Sequence, residues 1–419
     1  MSQRAFVLGG GIVGACSALA LLRRGFDVTV IDQGAPGHGA SFGNSASIGL
    51  ASVPPLGMPG MLRDVPKMLL DKMHPLVIRW KHLPETLPWL LRFRRALDRA
   101  EAIAGARAAL LTHAGTAYDA LLAEIGRPDL IHTTGLIFVY ESQAAFEGAR
   151  GGIAMRRRHG IEAHELDGPA LRDLEPALSD RVIAGVHYPV VQTVTNPLAL
   201  TEAIIDSVVA RGGHVLRETV RGFEPGDAGV ARVVTDVGRH DCDLVVLATG
   251  AWSRDLAAQL GEKPMVTAER GYHIMIENAP NMPAISVASG DRNVSIVSLS
   301  NGLRMTTMAE FTAIDAPPDH DRAMRIFAPA AALIRGLELN VASRWVGSRP
   351  STPDSLPVIG RSPRHRNVIY AFGHGHLGVT FGAVTGAIVG TLARDETPNL
   401  DIAPYRPDRP FDGSHLTGG

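Results

Sequence analysis

The stretch that most constrains this chain is its beginning. Arg4-Ala5-Phe6-Val7-Leu8 is a short run of β-type residues that breaks directly into Gly9-Gly10-Gly11-Ile12-Val13-Gly14. An apolar helical pattern (Ala15, Ala18, Leu19, Leu22) follows and stops at Gly25, and a second strand pattern, Asp27 to Ile31, ends on Asp32. Strand, G-x-G-x-x-G, helix, strand and acidic residue in that order make up the dinucleotide-binding βαβ fingerprint. Gly9 permits the tight turn, Gly11 lets the backbone approach a pyrophosphate, and Gly14 lets helix and strand pack closely. The helix start at Ile12 and Val13 offers free N–H groups and the positive end of a dipole to the phosphates. Asp32, followed by Gln33, can accept hydrogen bonds from both hydroxyls of an adenosine ribose and would repel a 2′-phosphate, which disfavours NADP. With 45 glycines in 419 residues the motif alone could be an ordinary strand–helix turn. The flanking pattern is what argues for a nucleotide, and it leaves open which dinucleotide binds.

Bulk properties bound the remaining choices. A chain of this length holds two domains or one large two-lobed one. With 41 basic against 42 acidic residues there is no global field to favour nucleic acid. Cys16 and Cys242 cannot make a disulfide framework, both fall in expected core elements, and no metal site is expected. The N-terminus is itself a strand of the fold, so no signal peptide is expected and the chain reads as cytoplasmic. Leu377 to Ala393 is uncharged and largely apolar, but it is rich in Gly and Ala and opens from a glycine loop. It is read as a buried helix of an α/β domain, not as a membrane span.

Further along, Gly34 to Ser45 is a small-residue loop, Ala102 to Ile125 a long helix and Leu136 to Tyr140 a strand. Asn196-Pro197 starts a helix with a capping side chain and a proline in the first turn. Two strands follow, Val215 to Phe223 and Val230 to Val237. A buried strand beginning at Asp243 then closes on Ala248-Thr249-Gly250, a loop at the edge where parallel sheets bind ligands. Near the C-terminus the pattern recurs: Asn367 to Phe372 is a strand, Gly373 to Gly378 a loop, and Val379 onward a helix. A second strand–glycine loop–helix so far from the first suits a long cofactor. NAD sites usually close within one compact block, so the dispersed layout favours FAD.

These residues resemble flavoproteins of the D-amino-acid oxidase superfamily, which includes glycine and sarcosine oxidases, and within it the bacterial D-amino-acid dehydrogenase small subunits. The resemblance covers nearly the whole chain. It rests on Gly9–Gly14, Ser41-Phe42-Gly43-Asn44-Ser45-Ala46, Pro75–Arg79, Arg270-Gly271-Tyr272, Arg349-Pro350-x-Thr352-Pro353-Asp354, Pro357–Gly360 and Gly373-His374-Gly375-x-Leu377-Gly378. It implies an α/β fold with a Rossmann-like FAD-binding domain, interrupted by a substrate domain with a mixed or antiparallel sheet. The division expected is 1–52, 165–258 and 340–405 for FAD, 53–164 and 259–339 for substrate, and a tail from 406 to 419.

The same resemblance implies non-covalent FAD, held by Gly9, Gly11, Ile12, Val13, Gly14, Asp32, Gln33, Ser41, Asn44, Ser45, Ala46, Val220, Thr249, Gly250, Gly375, His376, Leu377, Gly378, Val379 and Thr380. The reaction implied is oxidative deamination of a D-amino acid: hydride passes from Cα to flavin N5, and water converts the imino acid to a 2-oxo acid and ammonia. Arg349 is expected to grip the substrate carboxylate, because a guanidinium matches its two oxygens. The alternative for Arg349 is a loop salt bridge, with Asp354 as partner. Tyr272 and His273 follow Arg270-Gly271 on a strand expected over Gly271 to Ile276, where alternate side chains face opposite sides. One of the two is therefore expected to line the substrate pocket. Tyr272 is favoured over His273 because its hydroxyl can hydrogen-bond a carboxylate, and the alternative is a plain core tyrosine. Gly378, Val379 and Thr380 are expected to stabilise charge on the reduced flavin, and His374 and His376 remain ambiguous between base and structural residue. One departure stands out. The family's substrate-facing tyrosine is missing near Asn293, which leaves open a cyclic or hydroxylated D-amino acid such as D-hydroxyproline. A non-catalytic flavin-binding subunit is the alternative of another class, and oxygen, a quinone or a protein remain as electron acceptors.

Residues 54 to 100 change character, with nine Arg or Lys from Arg63 to Arg99 against four acids among many apolar side chains. The segment is expected to be a peripheral surface element, read either as a contact with the inner membrane or an electron-accepting partner, or as an ordinary amphipathic part of the substrate lobe.

Overall fold

A computed structural model describes residues 2–63, 65–227 and 229–416. The opening βαβ unit forms the middle of a six-stranded sheet. Arg4–Leu8 runs parallel to Asp27–Asp32 on one side and Leu244–Leu247 on the other, with Val7 opposite both Val30 and Val246. His214–Arg217 and Val368–Phe372 extend the sheet in parallel, and Val358–Arg361 closes one edge antiparallel. Val28, Val30, Val245 and Val246 are fully buried, since a parallel sheet is covered on both faces. Helices Ile12–Arg23, Pro197–Ala210 and Gly378–Ala393 cover one face. Helix Ser253–Gln259 and a small antiparallel sheet (Val220–Gly226, Gly229–Thr235, Arg239–Asp241) cover the other. The strand expected over Val215–Phe223 is therefore two. It breaks at Glu218 and Thr219, where Glu218 N donates to Asp32 O at 3.0 Å and Thr219 N to Asp236 Oδ1 at 2.8 Å.

The apolar helix Gly378–Ala393 lies inside the fold, packed between Ile12–Arg23 and Ala100–Ile125. A Cβ on Gly386 would sit 2.6 Å from the carbonyl oxygen of Cys16, so its small residues serve helix-to-helix approach.

The second lobe is built on a nine-stranded mixed sheet. From one edge it runs Val341–Ser351, Thr267–Ile276, Gly302–Phe311, Val294–Leu299, Ser286–Ser289, Leu136–Tyr140, Ala184–Tyr188 and His164–Asp167, with Leu76–Ile78 added in parallel onto residues 309–311. Helix His320–Ala331 packs Ile326, Phe327 and Ala330 onto one face, against Tyr272, Ile274 and Met305. Four stretches depart from the division expected from sequence. His164–Asp167, which straddles the boundary expected between 164 and 165, and Ala184–Tyr188, grouped there with the nucleotide lobe, are hydrogen-bonded into the nine-stranded sheet. So is Val341–Ser351, through Thr267–Ile276. Helix Ala100–Ile125, grouped there with the substrate lobe, puts Tyr118, Leu121 and Leu122 into the nucleotide-lobe core. Strand pairing and helix packing are decided by distant partners, which local pattern does not reveal. The expected tail is also packed over its described part: Arg409 and Asp354 form an ion pair in which both side chains are fully buried.

Candidate active site

A cleft of about 1400 Å³ runs between the lobes, from the Gly9 turn and Asp32 to the Gly375–Val379 loop. At its first end the glycines do what their spacing requires. Gly9 has φ +102°, and a Cβ there would lie 2.5 Å from Ala248 O; a Cβ on Gly14 would lie 1.8 Å from Gly9 O. Asp32 braces the turn, accepting from Gly10 N at 2.6 Å and Gly34 N at 2.8 Å. Ile12 N donates to Ser41 Oγ at 2.9 Å, and the first intrahelical bond is Ala15 N to Gly11 O. Val13 and Gly14 therefore keep amides without an intrahelical acceptor, the arrangement that receives a pyrophosphate. These donors, the carboxylate beyond them and the cleft's length fit an FAD.

Of the expected cofactor residues, Gly9, Gly11, Ile12, Val13, Asp32, Gln33, Ser41, Asn44, Ser45, Val220, Thr249, Gly250, Gly375, His376, Gly378 and Val379 line the cleft. Gly14, Ala46, Leu377 and Thr380 do not. Gly14 abuts Gly9, Ala46 and Leu377 are buried, and the Thr380 hydroxyl accepts from Gly49 N at 2.9 Å. The Ser41–Ala46 loop is held from below by Arg304, which the sequence reading passed over. Arg304 is 2% exposed and donates through Nη1 to Phe42 O at 2.8 Å and Asn44 O at 3.0 Å. Burial lowers its pKa to about 10.

Arg349 lines the cleft. Its Nη1 donates to Met308 O at 2.9 Å and to Glu269 Oε1 at 3.3 Å, while Nε and Nη2 make no hydrogen bond among the described residues. Asp354, the salt-bridge partner weighed from sequence, is taken by Arg409. Two local features make room for this guanidinium. A Cβ on Gly271 would lie 2.0 Å from Arg349 Nη2. Met308 has φ +73°, opposite a break in the register between Arg270 and Tyr272. A left-handed non-glycine residue costs roughly 1–3 kcal/mol, and here it belongs to the turn of backbone whose carbonyl meets Arg349.

Glu269 was not foreseen. Its carboxylate is fully buried and also meets His376 Nε2 at 2.7 Å and Ser351 Oγ at 2.6 Å. Burial alone would raise its pKa, but His376, Arg349 and the Ser351 hydroxyl outweigh it and bring the carboxyl down to about 2. Glu269 is thus an anion joining two cleft residues that lie on separate strands and loops.

Two expected catalytic side chains, Tyr272 and His273, do not line the cleft, and a third, His374, lines it with its ring already bonded. Strand Thr267–Ile276 turns Glu269, Gly271 and His273 to one side and Arg270 and Tyr272 to the other. Tyr272 therefore lies under helix His320–Ala331, where its hydroxyl donates to Glu310 Oε2 at 2.7 Å and accepts from Asp319 N at 2.9 Å. Glu310 there also takes Arg270 and Arg79. His273 sits beneath the Ser41–Ala46 loop, stacked on Trp345 with centroids 5.0 Å apart and Nδ1 3.3 Å from Gly43 O. Burial and nearby Arg304 push its pKa down to about 3. His374 lines the cleft, but its Nε2 is bonded to Thr385 Oγ1 at 2.9 Å and burial brings it down to about 3. Neither neutral ring reads as a base. Asn293, at φ +52°, stands in the cleft wall at the position where the family resemblance implies a tyrosine.

The segment expected at the periphery forms part of the cleft wall instead of standing apart from it. Met61, Leu62, Val65, Met68, Leu76 and Ile78 line the cleft. Trp89 and Phe93 are buried against Phe311, and Trp89 Nε1 donates to Ser351 O at 2.9 Å.

Known proteins are similar to this chain over nearly its whole length. The family model described as "FAD dependent oxidoreductase" (DAO) matches residues 4–392. A D-amino-acid oxidase of Bradyrhizobium diazoefficiens is 34% identical over 412 residues, covering 96% of this chain and 98% of that one. A D-amino acid dehydrogenase of the same organism is 30% identical over 418 residues, covering 97% and 99%. Among solved structures, glycine oxidase from Geobacillus kaustophilus superposes with a TM-score of 0.76 at 21% identity, over 97% of this chain and 99% of that one, a likeness of fold. The chain belongs to the DAO family of FAD-dependent oxidoreductases.

Proposed function

We propose that this enzyme oxidises the Cα–N bond of a D-amino acid, whose imino product water converts to a 2-oxo acid and ammonia. The observation that carries the reading is Arg349. It offers a guanidinium edge in a cofactor-length cleft, braced from behind by Met308 O and Glu269. The two relatives' names point to the same substrates. FAD, held non-covalently, supplies the hydride acceptor; neither cysteine lines the cleft. Arg349 fixes the carboxylate and so orients Cα. The start of helix Gly378–Ala393 opens on the cleft at Gly378 and Val379 with no side-chain cap, and its amides and dipole would stabilise negative charge on a reduced flavin bound there. Asn293 in place of a bulky tyrosine favours a cyclic or secondary amino acid, D-hydroxyproline included, as a narrower version. The test is anaerobic bleaching of the bound flavin by D-alanine, D-phenylalanine, D-proline and cis-4-hydroxy-D-proline, with their L-enantiomers as controls. A flavin that none of the D-compounds reduces would leave a non-catalytic flavin subunit as the reading. Reoxidation by air against a soluble quinone then separates oxidase from dehydrogenase.

A second proposal concerns the surface beside the cleft mouth. Leu62, Leu70, Met73, Trp80, Leu87 and Leu91 are exposed there, Leu70 at 84% and Trp80 at 70%. Lys67, Lys72, Lys81 and Arg92 stand among them. Apolar side chains interleaved with cations suit an anionic bilayer surface. Flotation with anionic liposomes tests this contact, and protein left wholly in the soluble fraction refutes it.

A further inference from the structure

An amino acid meets this site with its nitrogen protonated, yet hydride can leave Cα only once the nitrogen lone pair is free. We infer that His376 takes the ammonium proton and that Glu269 is the positioning residue that makes it able to. This rests on the amino-acid reading of the cleft. His376 lines the cleft with its side chain 45% exposed, so it touches both substrate space and a path to water. Its Nε2 is fixed 2.7 Å from Glu269, and Nδ1 makes no hydrogen bond among the described residues. Glu269 joins His376 to Arg349, which sets the proton acceptor beside the carboxylate clamp.

In the step, an N–H bond of the ammonium breaks and a bond to His376 Nδ1 forms. The ring becomes an imidazolium whose Nε2–H donates to the Glu269 carboxylate, and the proton later leaves through the exposed edge. No oxidant enters this step. The charged and titratable groups around His376 are Glu269 on Thr267–Ile276, Arg349 on Val341–Ser351 and His374 in its own loop; helix Gly378–Ala393 carries none. His374 is buried and held on Thr385, and Arg349 is a fixed cation, which leaves His376 as the one exposed side chain of these with a ring nitrogen that has no hydrogen-bond partner among the described residues.

The test is anaerobic stopped-flow reduction of the holoenzyme across pH, using the best D-amino acid of the panel above. His376→Asn should lower kcat/KM at neutral pH roughly 100-fold, the scale of lost general-base catalysis. Its rate should recover as pH approaches the substrate's own amine pKa, because free amine needs no acceptor. Glu269→Gln should show the same alkaline displacement together with a raised KM, and Glu269→Asp should restore part of both. FAD content and thermal stability are followed in parallel. If His376→Asn keeps the wild-type pH profile, His376 is not the acceptor. If Glu269→Gln changes stability but neither profile nor KM, Glu269 is only structural. Wild-type flavin that no D-amino acid reduces refutes the substrate reading, and this inference falls with it.

Discussion

Truncating Arg349 is the most direct perturbation of the proposed chemistry. Its side chain is 23% exposed and its Nη1 is committed to Met308 O and Glu269, which leaves Nε and Nη2 for a ligand. A carboxylate gripped there gains charge-assisted hydrogen bonds of about 1.5–3 kcal/mol each. Removing one side of such a pair costs about 2–5 kcal/mol, so Arg349→Ala should lose roughly 30- to 5000-fold in kcat/KM. Arg349→Lys keeps the charge but not the fork, and KM should rise steeply. Gly271→Ala reaches the same end from behind, because its new Cβ would lie 2.0 Å from Nη2 and displace the guanidinium. The assay is the rate of flavin reduction against D-amino-acid concentration, with FAD content measured on each variant. All three should retain FAD, and amines without a carboxylate should be oxidised at nearly unchanged rates. Near-normal kcat/KM for amino acids in Arg349→Ala would refute the clamp.

Asp32→Ala removes the acceptor of two backbone amides as well as a ribose partner; FAD should dissociate about 10- to 150-fold more readily, for a loss of about 1.5–3 kcal/mol, measured by flavin fluorescence on dilution. Tyr272→Phe should leave kcat and KM unchanged but lower stability by about 1–3 kcal/mol in chemical denaturation, since the hydroxyl bridges Glu310 and Asp319 N. A changed KM would return Tyr272 to the substrate pocket. Glu269 has its folded pKa depressed from 4.5 to about 2, so its contribution is present above pH 4.5 and is lost as pH falls toward 2. Glu269→Gln should flatten the stability profile in that window, by an amount of the order of 3 kcal/mol.

The parts of the fold and site that sequence made legible are those specified locally. The Gly9–Gly14 turn, the acid at Asp32 and the second glycine loop at Gly373–Gly378 each follow from strand, turn and helix patterns within a few residues. What stayed hidden depends on partners far apart in the chain. Glu269 meets Arg349 across 80 residues and His376 across 107, and no period in the sequence announces either pairing. Alternation along Gly271 to Ile276 separates two faces but does not say which one looks onto the cleft. Helix His320–Ala331 settles that by covering the Tyr272 side. Tyr272 was chosen because its hydroxyl suits a carboxylate, and the same property lets it bridge Glu310 and Asp319 in a buried ionic cluster.

Two signals in that strand could have pointed to the cleft face. Glycine inside a strand marks a place where something must approach the backbone closely, and Gly271 is such a place, with Arg349 as the approaching group. A carboxylate two residues earlier on the same face of a buried strand must find cationic partners to be buried at all. Residues two apart share a face, so Glu269 and Gly271 together predict a cation stacked over one side of the strand. Arg349 satisfies both demands at once. The substrate clamp and its buried counter-ion are therefore one unit of design, and neither can be altered without moving the other.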